Sequence, residues 1–193
     1  MTPIPNYSQK TNFRLDIPNE QAEDFVINVQ EVNVPSISIP ATNFPINPTA
    51  RGDLPGSAIE FEPITMRILL DENLNAYTDI YRWMLSIVDY KNSESTAWLP
   101  GGSPKTMLFH ILDSTKEKIL MTYVFDDPWP QMMGEIEFAY TDDVNLAMFC
   151  TVTFRYKTFT IEKNGVTIRP RPVAKGREFS PVSTRRGLHP SMR

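Results

Sequence analysis

The sequence predicts a mainly β fold, a sandwich or barrel of about seven strands with one flanking α-helix over about residues 73–90. Three observations predict it. Apolar residues alternate with polar ones in several short runs, the period of a half-buried strand. Only one stretch changes to helical spacing, with Leu74, Tyr77, Ile80, Tyr81, Met84 and Val88 on one stripe. The chain also holds 17 Pro against 8 Gly, which suits a β-rich chain whose loops are held extended.

Residues 1–11 read as an extended arm. Phe13, Leu15 and Ile17 alternate with Asn12, Arg14 and Asp16 as a first strand. A second runs over about residues 25–34. Its inward parity changes from Phe25, Ile27 and Val29 to Val32 and Val34, so one extra residue near Gln30-Glu31 is expected as a β-bulge. Residues 35–58, with Pro35, Pro40, Pro45, Pro48 and Pro55, read as a long loop. A structureless connection of that length is unusual in a compact domain and suggests contact with a neighbour.

Ile64, Met66, Ile68 and Leu70 then form a strand that leads through an acidic turn into the helix. Asp71 or Asn73 is placed to accept a bond from a free N–H in the first helical turn. Residues 91–104 are a Ser/Gly/Pro loop. Three more strands are expected around Met107–Phe109–Ile111, Ile119–Met121–Tyr123–Phe125 and Ile136–Phe138–Tyr140, the first two joined by a turn at residues 113–116. The last strand runs over residues 149–162, with Cys150, Val152, Phe154 and Tyr156 on one face. A parity shift to Phe159 and Ile161 implies a bulge or a bend onto another surface.

At 193 residues, 41% hydrophobic and 22% charged, the chain can bury one real core. The first twenty residues carry no apolar run, so no secretory signal is expected. Nor does any apolar stretch reach the length that spans a bilayer, and no membrane partner is expected. A single cysteine, Cys150, excludes an internal disulfide framework and fits folding in a reducing cytoplasm. The net charge of −4 hides an asymmetry. Residues 157–193 hold nine Lys/Arg against Glu162 and Glu178, while residues 1–156 hold ten against twenty-one acidic residues.

Candidate chemistry is sparse. His110 lies between Phe109 and Ile111 in a strand with no second His or Cys at ligand spacing, which favours a structural role. The pairs Asp71-Glu72, Asp126-Asp127 and Asp142-Asp143 flank strands, where Asp caps or turns the chain, rather than forming a hydrolase pair or a calcium site. Gly101-Gly102 with Ser103 and Lys105 lacks the spacing and the helix of a phosphate loop. No catalytic residue, cofactor or metal is therefore expected. Trp83, Trp129, Phe154 and Tyr156 read as core, with Trp129 aimed inward by the prolines on either side. Trp98 reads as a contact residue.

A strand, acidic turn and helix bearing Trp83, a hairpin ending in FDDPWP at residues 125–130, and strands ending near Phe154 and Tyr156 together resemble the bacteriophage tail-tube fold. That family includes contractile and non-contractile tail tubes, tube-like baseplate and neck proteins and the tube of type VI secretion systems. The resemblance covers about residues 12–162 as a tail-tube-like β-domain, leaving 163–193 as a basic Pro/Arg-rich extension. It implies a structural virion protein of the tail, assembled in the bacterial host cytoplasm as a hexameric ring. Sheets of adjacent subunits would join into an inner barrel, with neighbouring tail proteins as partners and DNA passing without specific binding. Glu135, Glu137, Thr151, Thr153 and Arg155 would face water, and an acidic body would repel phosphates.

The repeated tube subunit and a single adaptor ring both fit. A secretion-system tube and a cell-wall hydrolase are the alternatives. Arg169, Arg171, Lys175, Arg177, Arg185 and Arg186 have almost no apolar residues around them, so their segment is expected to order by docking on an acidic neighbour.

Overall fold

The computed structural model describes residues 7–18, 26, 28–96, 106–139 and 147–170. In chain order the strands are β1 (Phe13–Asp16), β2 (Val29–Asn33), β3 (Ile37–Ser38), β4 (Ala41–Asn47), β5 (Ala50–Pro55), β6 (Glu60–Phe61) and β7 (Ile64–Leu69). Helix α1 (Asn75–Ile87) follows, then β8 (Val88–Asp89), β9 (Glu94–Ser95), β10 (Thr106–Leu112) and β11 (Ile119–Asp126). The chain continues through β12 (Trp129–Met133), β13 (Phe149–Arg155), β14 (Thr158–Lys163) and β15 (Val166–Thr167).

Two antiparallel sheets form the body, one ordered β1-β10-β11-β14-β15 and the other β12-β13-β7-β2. The core lies between them, where Ile64, Met66, Ile68, Met107, Phe125, Val152 and Phe154 are fully buried. Aromatic rings weld its centre. Phe125 packs on Tyr156 at 4.9 Å and on Phe159 at 5.5 Å, centroid to centroid. The architecture is the β-sandwich with one described helix that the alternation predicts.

Several local expectations hold in detail. The bulge on the second strand is present: Val29 faces Ile68 and Glu31 faces Arg67, leaving Gln30 as the extra residue. That insertion keeps both Val29 and Val32 on the core side. The parity shift after Tyr156 is a change of sheet, since β13 belongs to one sheet and β14 to the other. The 113–116 turn is closed by Lys116 N–H donating to the Asp113 carbonyl at 2.9 Å, with Lys116 at φ 60.

Others are corrected. The helix is shorter than predicted, and its buried line is Ala76, Ile80 and Trp83. Tyr81 and Val88 from the predicted stripe are exposed, so the apolar face is rotated towards the small Ala76, which lets the helix approach the sheet. Leu74 holds the N-cap position in the left-handed region with no side-chain cap. Asp71 still does what was expected of it from a position further out, Oδ1 accepting from the first-turn Ala76 N–H at 3.4 Å. The strand expected over 136–140 is absent from residues 136–139, and Tyr140 lies outside the described residues. Its place beside β13 is taken by β12, seven residues earlier, because an edge strand tolerates Pro130. Residues 35–58 are no open loop: β4 and β5 form a hairpin, and β3 pairs with β6. The loop expected from residue 91 begins with the short β8–β9 ladder.

Candidate functional site

The residues that could do chemistry are used by the fold. His110 is buried in β10, its Nδ1 2.8 Å from Thr122 Oγ1 and its Nε2 3.3 Å from Asp16 Oδ2. Asp16 in turn accepts from Arg14 Nε at 2.9 Å. This row ties β1, β10 and β11 together across one face of the five-stranded sheet. Asp126 Oδ2 accepts from the Thr158 hydroxyl at 2.8 Å, and Asp127 turns the chain at φ 49. Cys150 is buried, which pushes its thiol pKa up, and Sγ lies 3.4 Å from the Gly134 carbonyl. Asp142-Asp143, Ser103, Lys105 and the Gly101-Gly102 pair lie outside the described residues. Among the described residues no group of three or more His, Cys, Asp or Glu could hold a metal ion. No described helix is long and apolar enough to cross a membrane.

What the molecule leaves unfinished is surface, in three places. The first is the β4–β5 hairpin. Phe44, Ile46 and Leu54 share one of its faces, while Asn43, Asp53, Pro45 and Arg51 share the other. Ile46 is 62% and Leu54 51% exposed. The turn is preorganised, the Asn47 carboxamide oxygen accepting from Thr49 N–H at 3.0 Å and Ala50 N–H at 2.7 Å. At the base Gly56 N–H donates to the Pro40 carbonyl at 2.7 Å, and a Cβ on Gly56 would lie 2.5 Å from that oxygen. An isolated two-stranded hairpin is marginal in water, so an ordered one with a bare apolar face calls for a second surface.

The second place is the pair of open edges. Among the described residues β2 and β12 end the four-stranded sheet and pair with nothing further. The third is the outer face of that sheet, formed by Glu31, Asn33, Thr65, Arg67, Thr151, Thr153 and Arg155 beside Trp129, Gln131 and Met132. Leu69 and Phe149 continue it at one end, so it mixes polar and apolar side chains, and no described element covers it. The opposite sheet differs, with Leu108, His110 and Val124 half-buried or buried on its outer side.

The aromatic residues expected in the core divide. Trp83 and Phe154 are buried with ring centroids 5.5 Å apart. Tyr156 is half-buried, its hydroxyl donating to the Glu62 carbonyl at 2.6 Å, and burial pushes its pKa up to about 12. Trp129 is the correction: it is 41% exposed on the outer face. Pro130 and Met133 occupy the inward positions of β12, and period-2 pleating sends Trp129 the other way. Trp129→Ala is therefore expected to cost less than about 1 kcal/mol in urea unfolding of the isolated chain. A loss of several kcal/mol would return the indole to the core.

Arg169 is exposed near the end of the described chain, whereas Arg171, Lys175, Arg177, Arg185, Arg186 and Trp98 lie outside the described residues. The hairpin was missed by sequence reasoning because Pro45 breaks the strand signal. The usable signal was Asn47-Pro48-Thr49 between Thr42-Phe44-Ile46 and Gly52-Leu54.

The comparisons with known proteins agree with this picture. The profile of the phage tail tube protein family matches residues 2–162, so the match takes in the N-terminal arm as well as the predicted 12–162 domain. A tail tube terminator protein of Enterobacteria phage T4 is 36% identical over 168 residues, covering 86% of this chain and 94% of the T4 protein. Among solved structures, the tube-terminating cap of the anti-feeding prophage superposes with a TM-score of 0.58 at 12% identity, over 83% of this chain and 93% of the cap chain. A chain of the sheath–tube complex of the extracellular contractile injection system PVC gives 0.55 at 17% identity, over 84% and 93% of the two chains. At those identities the structures show a shared fold, and the family match carries the assignment: this chain belongs to the phage tail tube protein family, as a tube-type structural component of the virion tail.

Proposed function

We propose that six copies of this chain close into a ring that terminates the tail tube, with DNA passing through its centre. The single observation that carries the ring is the hairpin, an ordered β4–β5 unit with the exposed Ile46 and Leu54 beside the half-buried Phe44 on one face that no described element covers. Open edges at β2 and β12 support it, since joining these edges between neighbours removes the templates for aggregation. The T4 relative favours a terminal ring over the repeated tube subunit. Neighbouring tail proteins would meet its two ends. No enzymatic step is part of this reading. Electron micrographs of the purified chain test it: six-fold rings are expected, and a compact monomer at all concentrations would overturn it.

Of the basic extension over residues 163–193, residues 163–167 are held in the five-stranded sheet by β14 and β15, and the part beyond them acts in this reading as a clamp across subunit or protein boundaries. Its Lys/Arg excess faces an acidic body, and long Arg side chains can direct that attraction into carboxylates. Apolar side chains are too few in that segment to offset its chain entropy, so a partner surface must order it. Removal of residues 171–193 is expected to leave the sandwich folded and to weaken assembly. High salt should do the same to the intact chain, because exposed charges are screened over about 10 Å at 0.1 M. Equally firm assembly by the truncated chain at low salt would rule the clamp out.

A further inference from the structure

Helix α1 carries more apolar surface than the core uses. Ala76, Ile80 and Trp83 face the sandwich, with Tyr77 half-buried beside them. Tyr81 and Leu85 follow at i and i+4 on the neighbouring flank, outside the packed core. Tyr90 adds to this flank from just beyond β8, its hydroxyl 3.2 Å from that of Tyr81. Tyr81 is 38% and Tyr90 63% exposed, so two phenol rings stand together in water.

The same segment is acidic. Residues 71–96 hold Asp71, Glu72, Asp79, Asp89 and Glu94 against Arg82 and Lys91. Arg82 is taken up by Asp79 at 3.7 Å. Asp89 stands directly opposite Glu94 on the β8–β9 ladder, a like-charge pair that is destabilising unless a cation answers it. No ion pair among the described residues involves either carboxylate. Asn92 Nδ2 donates to Asp89 Oδ2 at 2.7 Å, which with the Asn92 and Lys91 N–H groups holds the Asp89 carboxyl below the usual carboxylate range.

From this we infer that the Tyr81–Tyr90 flank of α1, with Asp89 and Glu94 beside it, is the seat for residues 171–193 of a neighbouring copy of this chain. The inference rests on the clamp reading and names the surface that the clamp grips. The chemistry of the segment fits. It holds Arg171, Lys175, Arg177, Arg185, Arg186 and Arg193 against Glu178, with Pro172, Pro181 and Pro190 spread along it. Proline-rich segments dock extended on aromatic-lined surfaces, because their preformed conformation leaves little entropy to lose. A guanidinium can lie flat on a phenol ring while its N–H fork meets a carboxylate. Two tyrosines next to a carboxylate pair offer both partners at once. Extended, the segment spans up to roughly 70 Å at about 3.1 Å per residue, against about 40 Å for the diameter of a subunit of this length, so it can reach a neighbour. It also lies beyond the residues that the family profile matches, so the family alone supplies no seat for it.

The test follows ring assembly of the full chain by sedimentation velocity over a dilution series at low salt. Tyr81→Ala with Tyr90→Ala is expected to raise the concentration for half-assembly by at least about tenfold, as removal of residues 171–193 does, and combining the two should add nothing further. Both tyrosines are exposed, so urea unfolding should stay unchanged. Arg185→Gln with Arg186→Gln, which leaves residues 1–170 untouched, should weaken assembly in the same direction. Tyr7→Ala, at an exposed aromatic of the N-terminal arm, should leave assembly as it is. A mixture of the truncated chain, which keeps the seat, and the Tyr pair, which keeps the segment, should assemble more firmly than either alone, because docking runs between copies. Unchanged assembly in the Tyr pair, a further loss on combination, equal loss from Tyr7→Ala, or no recovery on mixing overturns the inference, while the effect of truncation still supports the clamp. Truncation without effect, or a full chain that never assembles, overturns the clamp and this inference together.

Discussion

Phe154→Ala is expected to cost about 3–5 kcal/mol, the range for emptying a large aromatic site in a core that cannot fully collapse. Phe154 is fully buried in β13, between Pro130 on β12 and Ile64 on β7, with the Trp83 ring of α1 against it at 5.5 Å. Three elements meet on this one ring, so its loss loosens the helix as well as the sheet. Urea unfolding followed by Trp fluorescence checks it, and a cost below about 1 kcal/mol, typical of surface changes, would remove Phe154 from the centre of the fold. Trp83 gives a useful contrast. Its Nε1–H is buried without a hydrogen-bond partner. Trp83→Phe would give up contact area but also remove an unsatisfied donor, so it should cost much less than Phe154→Ala.

The parts of the fold that were legible in the sequence are those where one face is dry. Ile64, Met66 and Ile68, like Cys150, Val152 and Phe154, alternate because every second position must meet the core, and a slip of one residue would turn the whole set to water. The Gln30 bulge was readable for the same reason, as a shift in parity between Val29 and Val32. Where burial stops dictating, the reading fails. The hairpin has no face on the core, so its sequence carries turn chemistry at Asn47 without the hydrophobic alternation of a core strand, and Pro45 hides what remains. Trp129 was misplaced because proline fixes φ but does not choose the side of the sheet; the partner register with Arg155 and Phe154 does that. That one surface carries Glu31, Arg67 and Arg155 was not legible for a further reason. Glu31, Arg67 and Arg155 come from three separated segments, and only strand pairing brings them onto one surface.

Replacing residues 42–54 by an Asn-Gly turn between Ala41 and Pro55 is expected to abolish assembly while leaving the sandwich intact. The Asn-Gly pair supplies the two positive-φ positions that a two-residue hairpin needs. The Gly56–Pro40 backbone bond would still close the base. Stability of the isolated chain should change by less than about 1 kcal/mol, because Phe44, Ile46 and Leu54 lie outside the buried core. Assembly should be lost, because the same three side chains are the apolar surface that a neighbour would cover. Sedimentation velocity and micrographs of the shortened and full chains separate the two effects. The milder pair Ile46→Asp with Leu54→Asp should act in the same direction, since it places charge where an interface must be dry and leaves the hairpin turn at Asn47 untouched. Rings formed by the shortened chain as readily as by the full one would show that the hairpin holds no neighbour. Unfolding of the shortened chain would show instead that the hairpin supports the sandwich from which it projects.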